Sequence, residues 1–392
     1  MFIITPPKKL TSYAFYTVIL PQFHACLQQP TTDQIIFDFS DVEFIDSLVL
    51  PNLLCVGYWI VNRFDKPAKI SVPSSAKYSR IRTYLSKSNF LKIARNYGLF
   101  IFDDNIEGGL LLSDYKSSIN NIFVYEPFLK SDGRTDEEKT KERIYNQLQR
   151  TLKVFLADFI TVYQDADFDY ASLRKKLFSF CYEMIENAIL HGNSFCFLGL
   201  QYYSTHRIKI AISDCGRGFM NSINDDRSRS IDIRFYEDEL ELHVNNPDLY
   251  SDLSKEKNRI AEQCPQLHDY DIDRLIQYPE MQSEAQGISY GLLTRVKFKT
   301  YGLFHVYQSL PKGGIIRVHS NDTRLILGES LKKLFAVYAE DVETGKKNES
   351  EIPALFFDQL TANERYQYNI LTGPEFCGTH IELEFRMPQR RQ

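Results

Sequence analysis

The residues best suited to chemistry lie in Glu183-Met-Ile-Glu-Asn187-Ala-Ile-Leu-His191-Gly192. Glu183, Asn187 and His191 stand four apart, so a helix here projects a carboxylate, an amide and an imidazole from one face while Ile185 and Ile189 lie elsewhere. An amide oxygen is a hard ligand that suits magnesium, which keeps several waters and takes only one or two protein ligands beside phosphate oxygens. A carboxylate one turn away can polarise a water or a hydroxyl. Taken alone, the same pattern also describes a polar helix face turned to solvent.

A second cluster, Ser213-Asp214-Cys-Gly216-Arg-Gly218-Phe219, follows two strand-like runs, so an acidic side chain sits at a strand end beside two glycines. Glycines there let the backbone approach a flat ligand, and a buried carboxylate can accept a hydrogen bond from an adenine amino group. By itself the pattern is also a common turn. Late in the chain Gly378-Thr379 opens the final strand, and the Thr379 hydroxyl could join Asp214 at the base.

The positioning elements follow from periodicity. Residues 1 to about 103 alternate strand-like and helix-like runs: strands at Ile35–Phe39 and Ala68–Val72, a helix at Leu48–Val61, and a basic amphipathic stretch at Tyr78–Leu91. Asp104–Asn121 is the linker candidate, rich in Gly, Ser and Asn, with a boundary near 115. Beyond it come a strand at Ile122–Tyr125, a long helix running to about Tyr163, a helix at Tyr170–His191, and strands at Phe197–Tyr203 and Ile208–Ser213. About eighty polar residues precede a short helix at Gly302–Leu310 and strands at Ile315–Ser320, Leu334–Ala339 and Ile381–Phe385.

In this order the clusters resemble the boxes of the GHKL superfamily, the gyrase, histidine-kinase and MutL type of ATP-binding domain. The resemblance spans about residues 122–390 and implies a mixed sheet covered on one face by helices. It implies magnesium at Asn187, a general base at Glu183, adenine at Asp214 with support from Thr379, and a pocket lined by Gly216 and Gly218. His191 joins the nucleotide-binding set. Tyr301-Gly302-Leu303 resembles the later glycine box, where free amides at a helix N-terminus meet phosphates; Thr300 stands where the family has its first glycine.

Asn187-Ala-Ile-Leu-His-Gly is similar to the anti-sigma-factor serine kinases within that superfamily. The segment Ile35 to Leu50, with Asp46-Ser47 at its centre, resembles the core of STAS domains and makes Ser47 a candidate phosphoacceptor. Asp46 or Ser47 is equally a cap for the following helix. The expected fold is α/β and α+β in two domains: a small STAS-like α/β module over 1–115 and a GHKL sandwich over 116–392, with a lid insertion at about 220–300. The expected function is a magnesium-ATP-binding regulatory protein, an ATPase or serine-kinase-like switch acting on a protein partner. A nucleotide-gated interaction module without turnover and a MutL-like ATP-operated clamp, working as a homodimer, are the alternatives.

Bulk properties set the frame. The 392 residues exceed one ordinary domain, and 43% hydrophobic with 25% charged residues suit a chain that buries cores throughout. A net charge of -5 gives no electrostatic signal for nucleic acid or membranes. Seven cysteines without a CxxC pair fit a reducing cytoplasm rather than a disulfide framework. Cys377 and His380 are too few ligands for a structural zinc site. No secretory leader is expected at the N-terminus, and Leu48–Val61 is too short to span a bilayer. Neither GxxxxGK[ST] nor the DFG and HRD motifs occur, and His24, followed by Ala25, lacks the setting of a phosphoacceptor histidine.

Overall fold

The computed structural model describes residues 1–30, 34–72, 79–103, 120–163, 169–203, 207–222, 314–328 and 370–387, with isolated positions between the last three segments. Most of the expected lid, together with Gly302 and Leu303, lies outside them.

The protein is mixed α/β, and its described strands form a four-stranded parallel sheet, a five-stranded antiparallel sheet and a short parallel pair. In the N-terminal half, β1 (Phe2–Ile4), β3 (Ile35–Asp38), β5 (Ala68–Ser71) and β6 (Phe100–Phe102) form a parallel sheet in that order. A short pair, β2 (Lys9–Leu10) and β4 (Phe44–Ile45), sits beside it. Between them run α1 (Ser12–Ala14), a π-helical turn (Phe15–Ile19) and α2 (Leu20–Leu27). The helix α3 (Val49–Phe64) contacts both sheets. It is apolar nearly all round because it is buried on two sides, which is why its sequence shows no polar face. The basic stretch expected as one element is two helices, α4 (Ser79–Lys87) and α5 (Phe90–Asn96), broken at Asn89 in the left-handed conformation at φ 66°. Asparagine tolerates that conformation better than most residues.

The second sheet has the order β10 (Ile315–Leu327), β11 (Ile370–Arg386), β9 (Arg207–Asp214), β8 (Cys196–Tyr203), β7 (Asn120–Tyr125). Its described strands are all antiparallel, not mixed as the resemblance implied. Asn120 and Asn121, assigned to the linker by composition, begin β7. Of the strand expected at 334–339, Val337 is described and is helical, as are Lys333 and Glu340. The apolar run there reads equally as a helix segment, because short runs carry no decisive period.

Both faces of the antiparallel sheet are covered. Ile208, Ile210 and Ile212 of β9 join Leu198, Leu200, Ile381 and Leu383 in a core with α6 (Glu137–Tyr163) and α7 (Tyr170–Leu190). The alternate residues Lys209, Ala211 and Ser213 face the N-terminal half, as period-two alternation requires. The core of that half takes in Ile122, Phe197, Cys215 and Phe376 from the second sheet. Lys209, buried by this packing, is paired with Asp46 at 2.5 Å. Among the described residues no helix is long and apolar enough to cross a membrane.

Candidate functional site

The residues around Asp214 meet where β9, β11 and the end of α7 converge. Asp169 caps α7 by accepting the Ser172 N–H at 2.9 Å, and Leu173, Leu177, Met184, Ile185 and Ile189 anchor the helix in the core. That anchoring fixes the opposite polar face. Along it Glu183 is buried, Asn187 half-buried and His191 exposed at the helix end, so the three expected groups run from interior to solvent. Asn187 O accepts both the His191 and Gly192 N–H groups at 3.0 Å, which closes the helix and turns the chain toward β8. Glu186 points elsewhere and pairs with Lys141 at 3.3 Å.

Asp214 ends β9 on the face shared with α7, because it continues the even-numbered series of Ile208, Ile210 and Ile212. It is buried, and its Oδ1 accepts the Gly216 N–H at 2.8 Å while the Thr379 backbone N–H also supports the carboxylate. Burial is the main cause that raises its pKa to about 7, and the Glu284 charge adds to it. A carboxyl so placed is stabilised by any ligand that donates a hydrogen bond to it.

Two glycines, Gly216 and Gly378, pack directly against Asp214. A Cβ on Gly216 would meet Asp214 Oδ1 at 2.9 Å and the Gly192 Cα at 2.9 Å. Gly378, at φ +103°, lies against the Asp214 backbone carbonyl where no Cβ fits. Gly218, at φ +82°, lies against Ser320 and Asn321. Between the Ser320–Thr379 and Asn321–Phe376 pairs, the register leaves Cys377 and Gly378 unpaired with β10, a bulge that carries Gly378 to Asp214. Thr379 is half-buried beside it.

Glu284 is a site residue that motif reading did not single out. Its buried carboxylate accepts the Phe219 N–H at 2.6 Å, the Met220 N–H at 3.3 Å and the Asn321 amide at 3.0 Å. It therefore ties the expected lid to the glycine turn after Asp214. Burial raises its pKa despite these donors. Its surroundings in sequence are polar and lack a motif, so no local signal marks it.

Ser47 is brought to none of these groups. It is buried beside Tyr203 on the face of the sheet opposite α7. Its neighbour Asp46 accepts the Leu48 N–H at 3.1 Å in the turn before α3 and binds Lys209; the N-cap of α3 is Leu48, without a side-chain cap bond, so neither Asp46 nor Ser47 is the cap expected from the sequence. Among the described residues there is no cluster of three or more metal-ligating side chains, so a magnesium ion at Asn187 would complete its shell with phosphate oxygens and water. Searches against family models, curated proteins and solved structures find no match.

Proposed function

We propose that the antiparallel-sheet half is a GHKL-type domain that binds magnesium-ATP and uses it as a regulatory switch on a protein partner. One observation carries the reading: a buried carboxylate at a strand end, with a raised pKa, backed by two N–H groups and framed by residues without a Cβ. A planar base carrying an amino donor satisfies that group. Asn187 would hold magnesium, Glu183 would act as general base on a water or hydroxyl, and His191, Gly216, Gly218, Gly302, Leu303 and Thr379 would complete the nucleotide site. The N-terminal half would be the STAS-like module.

The position of Ser47 favours an ATPase or a switch over phosphotransfer within one chain. A nucleotide on the α7 face has the whole sheet between it and Ser47, so self-phosphorylation at Ser47 requires the two halves to part. Titration with ATP and ADP, with and without magnesium, tests the reading: the parent should bind ATP, and Asn187→Ala should lose mainly the magnesium-dependent part. Binding that is absent in the folded parent protein sinks the proposal. Binding without phosphate release would select the interaction module, and ATP-dependent dimerisation would select the clamp.

A further inference from the structure

The strand end that carries Asp214 is gripped from behind by the N-terminal half. Asn52 is a fully buried amide in the otherwise apolar stretch Val49–Val56 of α3. An apolar side chain would be the less costly occupant, since a buried amide is tolerated only when its hydrogen bonds are made. Those bonds run to two other elements. Ser213 Oγ donates to Asn52 Oδ1 at 2.6 Å, and Asn52 Nδ2 donates to Tyr16 Oη at 3.3 Å. The Tyr16 ring lies 4.6 Å from the His319 ring and beneath the Arg324 guanidinium at 4.4 Å.

The residues flanking Asp214 are thus held by one helix. Ser213 is bound to Asn52, and Cys215 meets Cys55, one turn further along α3. The neighbouring strand β11 is held by the π-helical turn and α2 of the same half. Phe376, just before Gly378 and Thr379, has its ring centroid 5.6 Å from that of Phe15 and 6.0 Å from that of Phe23. Alternation along β9 sends Asp214 to the pocket and both its neighbours to α3, so a shift of α3 must move the carboxylate.

We propose that Asn52 is a positioning residue for the nucleotide pocket: through Ser213 it sets the place of the Asp214 carboxylate and couples the N-terminal half to ligand affinity. In its ligand this rests on the ATP reading above; in its mechanics it does not. Two measurements keep them apart. In the protein without nucleotide, Asn52→Ala and the milder Ser213→Ala should each speed hydrogen exchange at the Gly216 and Thr379 amides. Each should also weaken ATP binding roughly tenfold, a middle value for groups in one network, and the double variant should lose no more than either single one. Asp46→Asn, which breaks the Lys209 pair elsewhere in the same interface, should lower the melting temperature yet leave ATP affinity unchanged.

Unchanged exchange at Gly216 and Thr379 in folded Ser213→Ala overturns the proposal whether or not ATP binds. So does an equal loss of ATP affinity in Asp46→Asn, which would reduce Asn52 to general interface packing. A parent protein that binds no ATP but shows the exchange changes sinks the ATP reading and leaves the positioning role standing.

Discussion

Replacing Asp214 by asparagine should strengthen the empty protein and weaken its hold on ATP. Burial raises the carboxyl from 3.8 to about 7. A group raised in this way contributes its full stability below its unfolded pKa and loses it as pH rises through the folded one. At 1.36 kcal/mol per pKa unit, ionisation costs the fold on the order of 4 kcal/mol by pH 8. Asparagine does not ionise, and its amide oxygen can keep the Gly216 N–H that Asp214 Oδ1 accepts at 2.8 Å. Its amide nitrogen, however, is then buried among donors, a penalty of about 1 to 3 kcal/mol. The expected net gain is about 2 kcal/mol above pH 7, shrinking as pH falls toward about 4, where the parent carboxyl is protonated in the folded and unfolded chain alike and only the amide penalty remains. If adenine sits at Asp214 as proposed, ATP affinity should move the other way, because an amide donor would face the adenine amino donor: the same 1 to 3 kcal/mol is roughly 5- to 150-fold in Kd. Urea unfolding from pH 4 to 8, with calorimetric ATP titration in the same buffers, reads both quantities. A variant less stable than the parent at pH 8 refutes the burial argument, and one that binds ATP as tightly refutes the placing of adenine at Asp214.

Glu183→Gln should bind ATP like the parent and, if the site turns over, lose about 100-fold or more in rate, whereas Glu186→Gln at the Lys141 pair should change little; phosphate-release assays separate the two. Glu284→Ala should strand the Met220 N–H at about 1 to 3 kcal/mol and leave the Phe219 N–H only the Ser320 hydroxyl at 3.1 Å, seen as faster hydrogen exchange at 218–222, and protection equal to the parent would count against the tie. Burial holds the His380 pKa well below 6.5, with His319 beside it lowered to about 3, so the unfolded chain takes up protons first as pH falls. Relative to His380→Phe, the parent should lose about 1.4 kcal/mol per pH unit on acidification below about 6.5, and parallel stability curves would contradict this.

The long elements were legible because their periods are strong. The helices at 137–163 and 170–190 and the strands at 196–203 and 207–214 stand where hydrophobic patterning put them. Asp214, Gly216 and Thr379 were individually visible as motifs, and the structure brings them together with Gly192 and Gly378. What was illegible depends on contacts between distant segments. The bulge that lifts out Cys377 and Gly378 exists only in the pairing of β11 with β10, more than fifty residues away. Glu284 carries no motif because its function is to accept hydrogen bonds from backbone groups 64 and 65 residues earlier.

Asn52 shows the same limit most sharply. In sequence it reads, with Pro51, as an interruption of an apolar run. In the structure it is the polar contact through which an otherwise apolar helix grips the second sheet at Ser213. Lys209 and Asp46 belong to the same logic: charged residues that suggest surface positions are buried because the two halves share one interface. Removing either partner of such a pair leaves an uncompensated buried charge, a loss of about 3 to 5 kcal/mol, so the halves are held together more firmly than a linker between independent domains would require. A site whose base is built from both halves can then respond to either of them, and this gives the buried amide at position 52 a reason to be polar.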